Sequence, residues 1–193
     1  MSWQKPFEDK FVTGEYGTRS PFRIKHGLGP HRGTDWAPGN RVQIPAIAKG
    51  TVKMVRWSNV LGWVMVQTAW AKNKTWYIGY CHLACATHGS YCKGPKVSGC
   101  TSPYKKLKVG DKIKAGQVVG RVGSSGGATS GPHLHATLSN SLRGVFYGTT
   151  YDLKAFIEEV SKKASTGRTA AQKSKETTKI VHSCPHCGKE LKK

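Results

Sequence analysis

Residues 131–139 read "GPHLHATLS", and the reading of this stretch decides the fold. Polar and apolar residues alternate along it, the mark of a half-buried strand. Side chains on a strand return to the same face every two residues. His133 and His135 therefore share one face, while Leu134 and Leu138 share the other. Two imidazoles side by side can be a solvated polar face or a working pair, and the stretch alone leaves both open. The run before it, "GRVGSSGGATSGP" over 120–132, lacks the Gly-Lys-Ser/Thr that ends a phosphate loop. Its glycines Gly126, Gly127 and Gly131 are expected to line a groove, where a missing Cβ lets backbone approach a bound peptide.

Outward from this strand the chain is rich in β signals. "RVQIPAIAKGTVKMVRW" (41–57) alternates and is β-branched, with a turn at Lys49-Gly50. "GWVMVQTAW" (62–70) and "TWYIGYCHL" (75–83) are two more strands, joined through "AKNK" as a hairpin. "KLKVGDKIKAGQVVGRVG" (106–123) resumes the strands, with turns at Val109-Gly110-Asp111 and Lys114-Ala115-Gly116. The first forty residues, dense in Gly and Pro, read as loop-rich. Leu153, Phe156, Ile157 and Val160 carry helical spacing, with Asp152 as N-cap. The class is mainly β: antiparallel sheets, long loops and one late helix.

The chemistry-bearing residues lie far apart in sequence. His31 opens "HRGTD" (31–35), which ends on Asp35; imidazole and carboxylate suit Zn²⁺ and could wrap one ion from a loop. His82 in "GYCHLA" (79–84) closes an apolar strand and, by itself, reads as an edge-strand histidine. Cys81, Cys85, Cys92 and Cys100 cluster around 85–104, a small, polar stretch that reads as a loop insertion. Thiols, a disulfide and a second metal all remain open for them.

Together, "HRGTD", "GYCHLA" and "GPHLH" in that order resemble the lysostaphin-type (LytM-like) zinc endopeptidases of peptidoglycan, and "LKVGDKIKAGQVVGRVG" is similar to the family's run into its His-x-His strand. The resemblance covers about residues 14–157. It implies a barrel-sandwich-type fold, with antiparallel sheets around a groove and a catalytic Zn²⁺ on its floor. It implies His31, Asp35 and His135 as metal ligands, with His133 and His82 beside the metal. One of that pair would act as general base and the other on the oxyanion. A related branch, the D-Ala-D-Ala dipeptidases, has a wider His–Asp gap and a glutamate base, and is less similar. Peptidoglycan cross-link cleavage is thus the expected activity.

Composition adds partners. Thirty-one Lys and Arg against ten acids give a net charge of +21, of which +7 falls on 161–193 and the rest on 1–160. Such a field attracts polyanions, among them anionic wall polymers. A nucleic-acid-binding protein is the rival reading, disfavoured because no recognition motif appears. No stretch approaches the ~18 apolar residues of a membrane span. The start, "MSWQKPFEDKF", has no apolar core of a signal peptide. Synthesis in a host cytoplasm and later delivery to the wall are therefore expected, as for a phage lysin. A virion or tail component, or a metal-loaded wall-binding protein without turnover, are the alternatives.

Three segments are expected: a peptidase domain over 1–160, a basic disordered linker over 161–179, and a tail over 180–193. The tail's "CPHCGKEL" is half of a zinc ribbon. Cys184 and Cys187 could hold a second, structural ion with His182 or His186, or across a dimer.

Overall fold

The structure, a computed structural model, describes residues 3–25, 27–85 and 107–163. The chain divides into two compact units, Met1–Ser161 and Lys162–Lys193. The linker and tail, with Cys184 and Cys187, lie outside the described residues, as does the insertion beyond Cys85.

Among the described residues nine strands form: β1 (Val12–Gly14), β2 (Thr34–Trp36), β3 (Gln43–Pro45), β4 (Gly50–Ser58), β5 (Gly62–Ala71), β6 (Lys74–Leu83), β7 (Lys112–Ile113), β8 (Val118–Arg121) and β9 (Leu134–Ser139). Seven of them make one open sheet in the order β1-β2-β9-β6-β5-β4-β7, and β3 and β8 make a second. Every pairing is antiparallel. The β5–β6 hairpin turns on Lys72 and Asn73, at φ 48° and 58°. Positive φ at both central residues is the type I′ geometry that matches strand twist.

The first forty residues are loop-rich, as expected, but they also hold short elements. β1, β2 and a short helix α1 (Pro21–Lys25) lie there. In "TDW", Thr34 and Trp36 are fully buried and Asp35 is not, a strand alternation too short to stand out among flanking Gly and Pro. A second short helix, α2 (Leu142–Phe146), is capped by Ser141, whose hydroxyl accepts from Gly144 N–H. The late helix α3 spans 153–163, and Asp152 Oδ1 accepts from Ala155 N–H at 3.0 Å, as an N-cap does.

Alternation assigns the two faces of the large sheet. Leu134, Ala136 and Leu138 of β9 and Trp76, Ile78 and Tyr80 of β6 point into the main core, with Trp36, Ile44, Leu153 and Phe156. Each large apolar side chain buried there is worth about 1.5–3 kcal/mol. On the opposite face Val64, Val66 and Cys81 pack against Val145 of α2. This second face also receives His135.

Candidate metal centre

Three neighbouring strands place one row of the site. Asp35 of β2 is paired with His135 of β9, and His135 with Cys81 of β6. Residues directly opposite in an antiparallel pair share a face, so Asp35 and His135 meet by register. Asp35 therefore acts from a strand rather than from the loop expected of "HRGTD"; only His31 comes from the connection before β2.

The donor atoms converge. His135 Nδ1 lies 2.7 Å from Asp35 Oδ1 and 3.1 Å from His31 Nε2. His31 Nε2 lies 3.2 Å from Asp35 Oδ2. Two imidazole nitrogens and one carboxylate, all within 4.8 Å of one another, are a donor set for a borderline cation. The tautomer adds a test of fit. His31 Nδ1–H donates to the Glu15 carbonyl at 3.0 Å. With one proton on the ring, at Nδ1, His31 would turn a lone pair on Nε2 toward a carboxylate oxygen, an acceptor facing an acceptor. A cation between them resolves that contact, so the residues fit the Zn²⁺ expected from sequence.

Glycines let the backbone close around this set. A Cβ on Gly33 would run into the Ala136 carbonyl oxygen and stand 2.8 Å from His135 Cε1. One on Gly14 would stand 2.8 Å from Asp35 Oδ2. Gly33→Ala is expected to cost about 1–3 kcal/mol of stability and to weaken zinc binding about 10–100-fold, as outer-shell changes do. Thermal melts and zinc titration check both; unchanged affinity would contradict the packing argument.

His82 and His133 stand beside this cluster, with ring centroids 4.7 Å apart. His82 lies 6.0 Å from the His135 ring. Both rings are held alike. His133 Nδ1–H donates to the Gly131 carbonyl at 2.9 Å, and His82 Nδ1–H to the Ser125 carbonyl at 2.8 Å. Each thereby has Nε2 as its remaining ring nitrogen, and His133 Nε2 is 3.8 Å from Asp35 Oδ1.

His82 reaches this face through a defect. Cys81 already points to the site face, so plain alternation would turn His82 into the core. The β5–β6 register slips between Trp63 and Met65, and His82 takes φ 58°. This bulge turns His82 back to the site and returns Leu83 to the core. β6 is the central strand and His82 is 2% exposed, which corrects the edge-strand expectation. Left-handed φ is uncommon for a non-glycine residue, and its position beside the site fits strain held for function.

The electrostatics follow burial. Burial alone would raise the Asp35 carboxyl, but in the metal-free site the His135 and His31 imidazoles, which donate to it when they carry the protons, outweigh burial and hold the group well below the usual carboxylate range. Burial, then the neighbouring His133, push His82 down to about 3. Burial also lowers His135, against the pull of Asp35. The sign is the same for all three: the unfolded chain binds more protons. The stability due to His82 is complete above the unfolded value of 6.5 and is lost as pH falls toward about 3. Asp35 adds a loss below 3.8. Each tenfold difference in proton affinity between the folded and unfolded chain is worth about 1.4 kcal/mol. Metal-free protein is thus expected to lose a few kcal/mol between about pH 6.5 and 3. Urea midpoints across that range test this; a flat profile would contradict it.

A cavity of about 420 Å³ opens over the cluster. Val60 and Leu61 of the β4–β5 turn and Ala128 of the glycine run line it, as do Phe146 and Tyr147 at the end of α2. Gly126 and Gly127 serve a different contact from the expected one. Gly127 N–H donates to the Asn59 carbonyl at 2.8 Å, and a Cβ on Gly126 would strike Gly62 N. They let the glycine run dock on the β4–β5 turn, and Gly131 has open space around it. Arg32, unremarked within "HRGTD", anchors the other wall, donating to the carbonyls of Phe146, Gly144 and Gly148. Cys81 is a buried thiol that burial pushes up beyond the usual range, so it stays protonated.

Known proteins share this fold. Peptidase family M23 matches residues 98–146. The catalytic domain of a prophage-encoded M23 protein, EnpA from Enterococcus faecalis, in mutant form, is 30% identical with a TM-score of 0.52, over 77% of this chain and 92% of that one. The chain belongs to peptidase family M23. The catalytic domain of the antimicrobial peptidase lysostaphin from Staphylococcus simulans is 26% identical, with a TM-score of 0.55 over 76% of this M23 chain and 91% of that domain. A zinc-containing peptidase from Vibrio cholerae shares the fold at 20% identity and a TM-score of 0.55; this M23 chain covers 39% of its length, with 79% of its own. This M23 protein is a metallopeptidase of the lysostaphin type.

Proposed function

We propose that this metallopeptidase is a zinc-dependent endopeptidase that hydrolyses stem or cross-bridge peptide bonds of bacterial peptidoglycan. One observation carries the reading. His31 Nε2, Asp35 and His135 Nδ1 converge as a three-ligand set, and two more imidazoles stand beside it, each anchored through Nδ1 to a backbone carbonyl. Three protein ligands leave the open fourth position that a catalytic zinc keeps. When bound there, zinc polarises a carbonyl and brings the pKa of a bound water to about 7.

The chain's own residues do the rest. His133 Nε2 accepts the proton of the attacking water, and the resulting imidazolium returns it to the leaving amine. The Gly131 carbonyl holds the ring in the tautomer this needs. His82, pushed to about 3, is a weak base and stays neutral at working pH. Its Nε2 can accept from the attacking water and so orient it. An oxyanion contact would need a proton on that nitrogen, which burial disfavours. Leu28, Val60, Phe146 and Tyr147 supply apolar walls that hold a peptide and exclude water around it.

The likeness to lysostaphin and to a prophage-encoded M23 protein supports a wall substrate and a role as a phage lysin, acting at the cell wall. The net charge of +21 supports retention on anionic wall polymers. Digestion of purified sacculi of several wall chemotypes, read by mass spectrometry, tests the substrate. New amino termini at stem or bridge peptides are expected. Release of glycan ends alone would contradict the peptidase reading of this substrate, and intact sacculi would contradict the substrate itself.

A further inference from the structure

The cavity over the metal centre carries positive charge that its own residues leave uncompensated. Arg23 and Arg32 both line it, and Asp35, already committed to the ligand set, is its one lining carboxylate among the described residues. Neither arginine has an ion-pair partner among the described residues. Both are instead fixed by backbone carbonyls, which orient a guanidinium without cancelling its charge.

The two are used differently. Arg32 spends Nη1 and Nη2 on the carbonyls at the end of α2. Arg23 donates from Nε to the Gly29 carbonyl at 2.7 Å and from Nη2 to the Pro30 carbonyl at 3.3 Å. That occupies the side-on face of its fork. The end-on face, Nη1–H with the second Nη2–H, has no acceptor among the described residues. A guanidinium fork matches a carboxylate in two parallel hydrogen bonds. Gly29 and Pro30 lead directly into His31, so the fork stands at the approach to the ligand set.

We propose that Arg23 binds a substrate carboxylate beside the scissile bond, with Arg32 adding to the attracting field. The enzyme would then select cross-links whose flanking residue bears a free carboxylate over neutral bridges such as oligoglycine. This rests on the peptidoglycan reading above and narrows its substrate class.

Two cross-linked muropeptides, identical except that the carboxylate beside the scissile bond is free or amidated, test it with zinc-loaded protein. Wild type is expected to prefer the free form about 10-fold in kcat/KM, through KM, as loss of one charge-assisted hydrogen-bonded pair implies. Arg23→Gln, with its zinc content verified, should cleave the free and amidated forms at equal rates. Arg23→Lys, with charge but no fork, should fall between. Equal wild-type rates on the two substrates, or a preference that survives Arg23→Gln, would overturn the proposal. Efficient cleavage of an oligoglycine bridge in preference to both would overturn it as well, yet leave the peptidoglycan reading standing. Cleavage of no cross-link of any kind would bring down that reading and this one together.

Discussion

His133→Ala is expected to retain its zinc and to lose about 10²–10⁴ in kcat, the usual contribution of a positioned general base. The ring lies outside the three-atom donor cluster. Its Nε2 approaches no closer than 3.8 Å to Asp35, and its Nδ1 is occupied by the Gly131 carbonyl. Removing it leaves His31, Asp35 and His135 in place. The loss should appear in kcat rather than KM, because proton transfer belongs to the transition state. Metal analysis alongside turnover separates this from unfolding. A His133→Ala protein that lost its zinc would move His133 into the ligand set and contradict the assignment.

His31→Ala and Asp35→Ala should fail in the opposite way, with zinc and turnover lost together. Each removes one of three ligands. Removing Asp35 also strips the negative charge that the buried cluster holds well below the usual carboxylate range. The metal-free fold should survive both, because the main core is built on the other face of the sheet. His31 is held through the Glu15 carbonyl, so His31→Ala leaves that carbonyl without its donor, at a cost of about 1–3 kcal/mol. Circular dichroism with zinc titration reads fold and metal separately. Full turnover in either variant would mean that the metal sits elsewhere.

Much of the site could be read before the fold. The alternation in "GPHLHATLS" correctly put His133 and His135 on one face, because a period of two survives wherever a strand is half buried. His31 and Asp35 were legible only through spacing and family likeness. Asp35 meets His135 by a register match, and pairing partners a hundred residues apart leave no local signal. His82 was legible as a residue and not as a position. Its site-facing direction depends on a bulge, and simple alternation would have buried it in the core. The supporting atoms were hidden for another reason. The carbonyls of Glu15, Ser125 and Gly131 belong to the backbone, which sequence does not distinguish from one residue to the next. Arg32 and Gly33 sat within the quoted "HRGTD" motif, but their partners Gly144 and Ala136 become neighbours only in the folded sheet.

Turnover as a function of added zinc bears most directly on the central claim. Protein stripped with a chelator and dialysed is titrated with Zn²⁺ while amino termini released from sacculi are counted. Activity should be absent without metal and rise to a plateau at one zinc per chain, with His31→Ala silent throughout. Equal release by the stripped protein, or by His31→Ala, would contradict a zinc centre built on His31, Asp35 and His135.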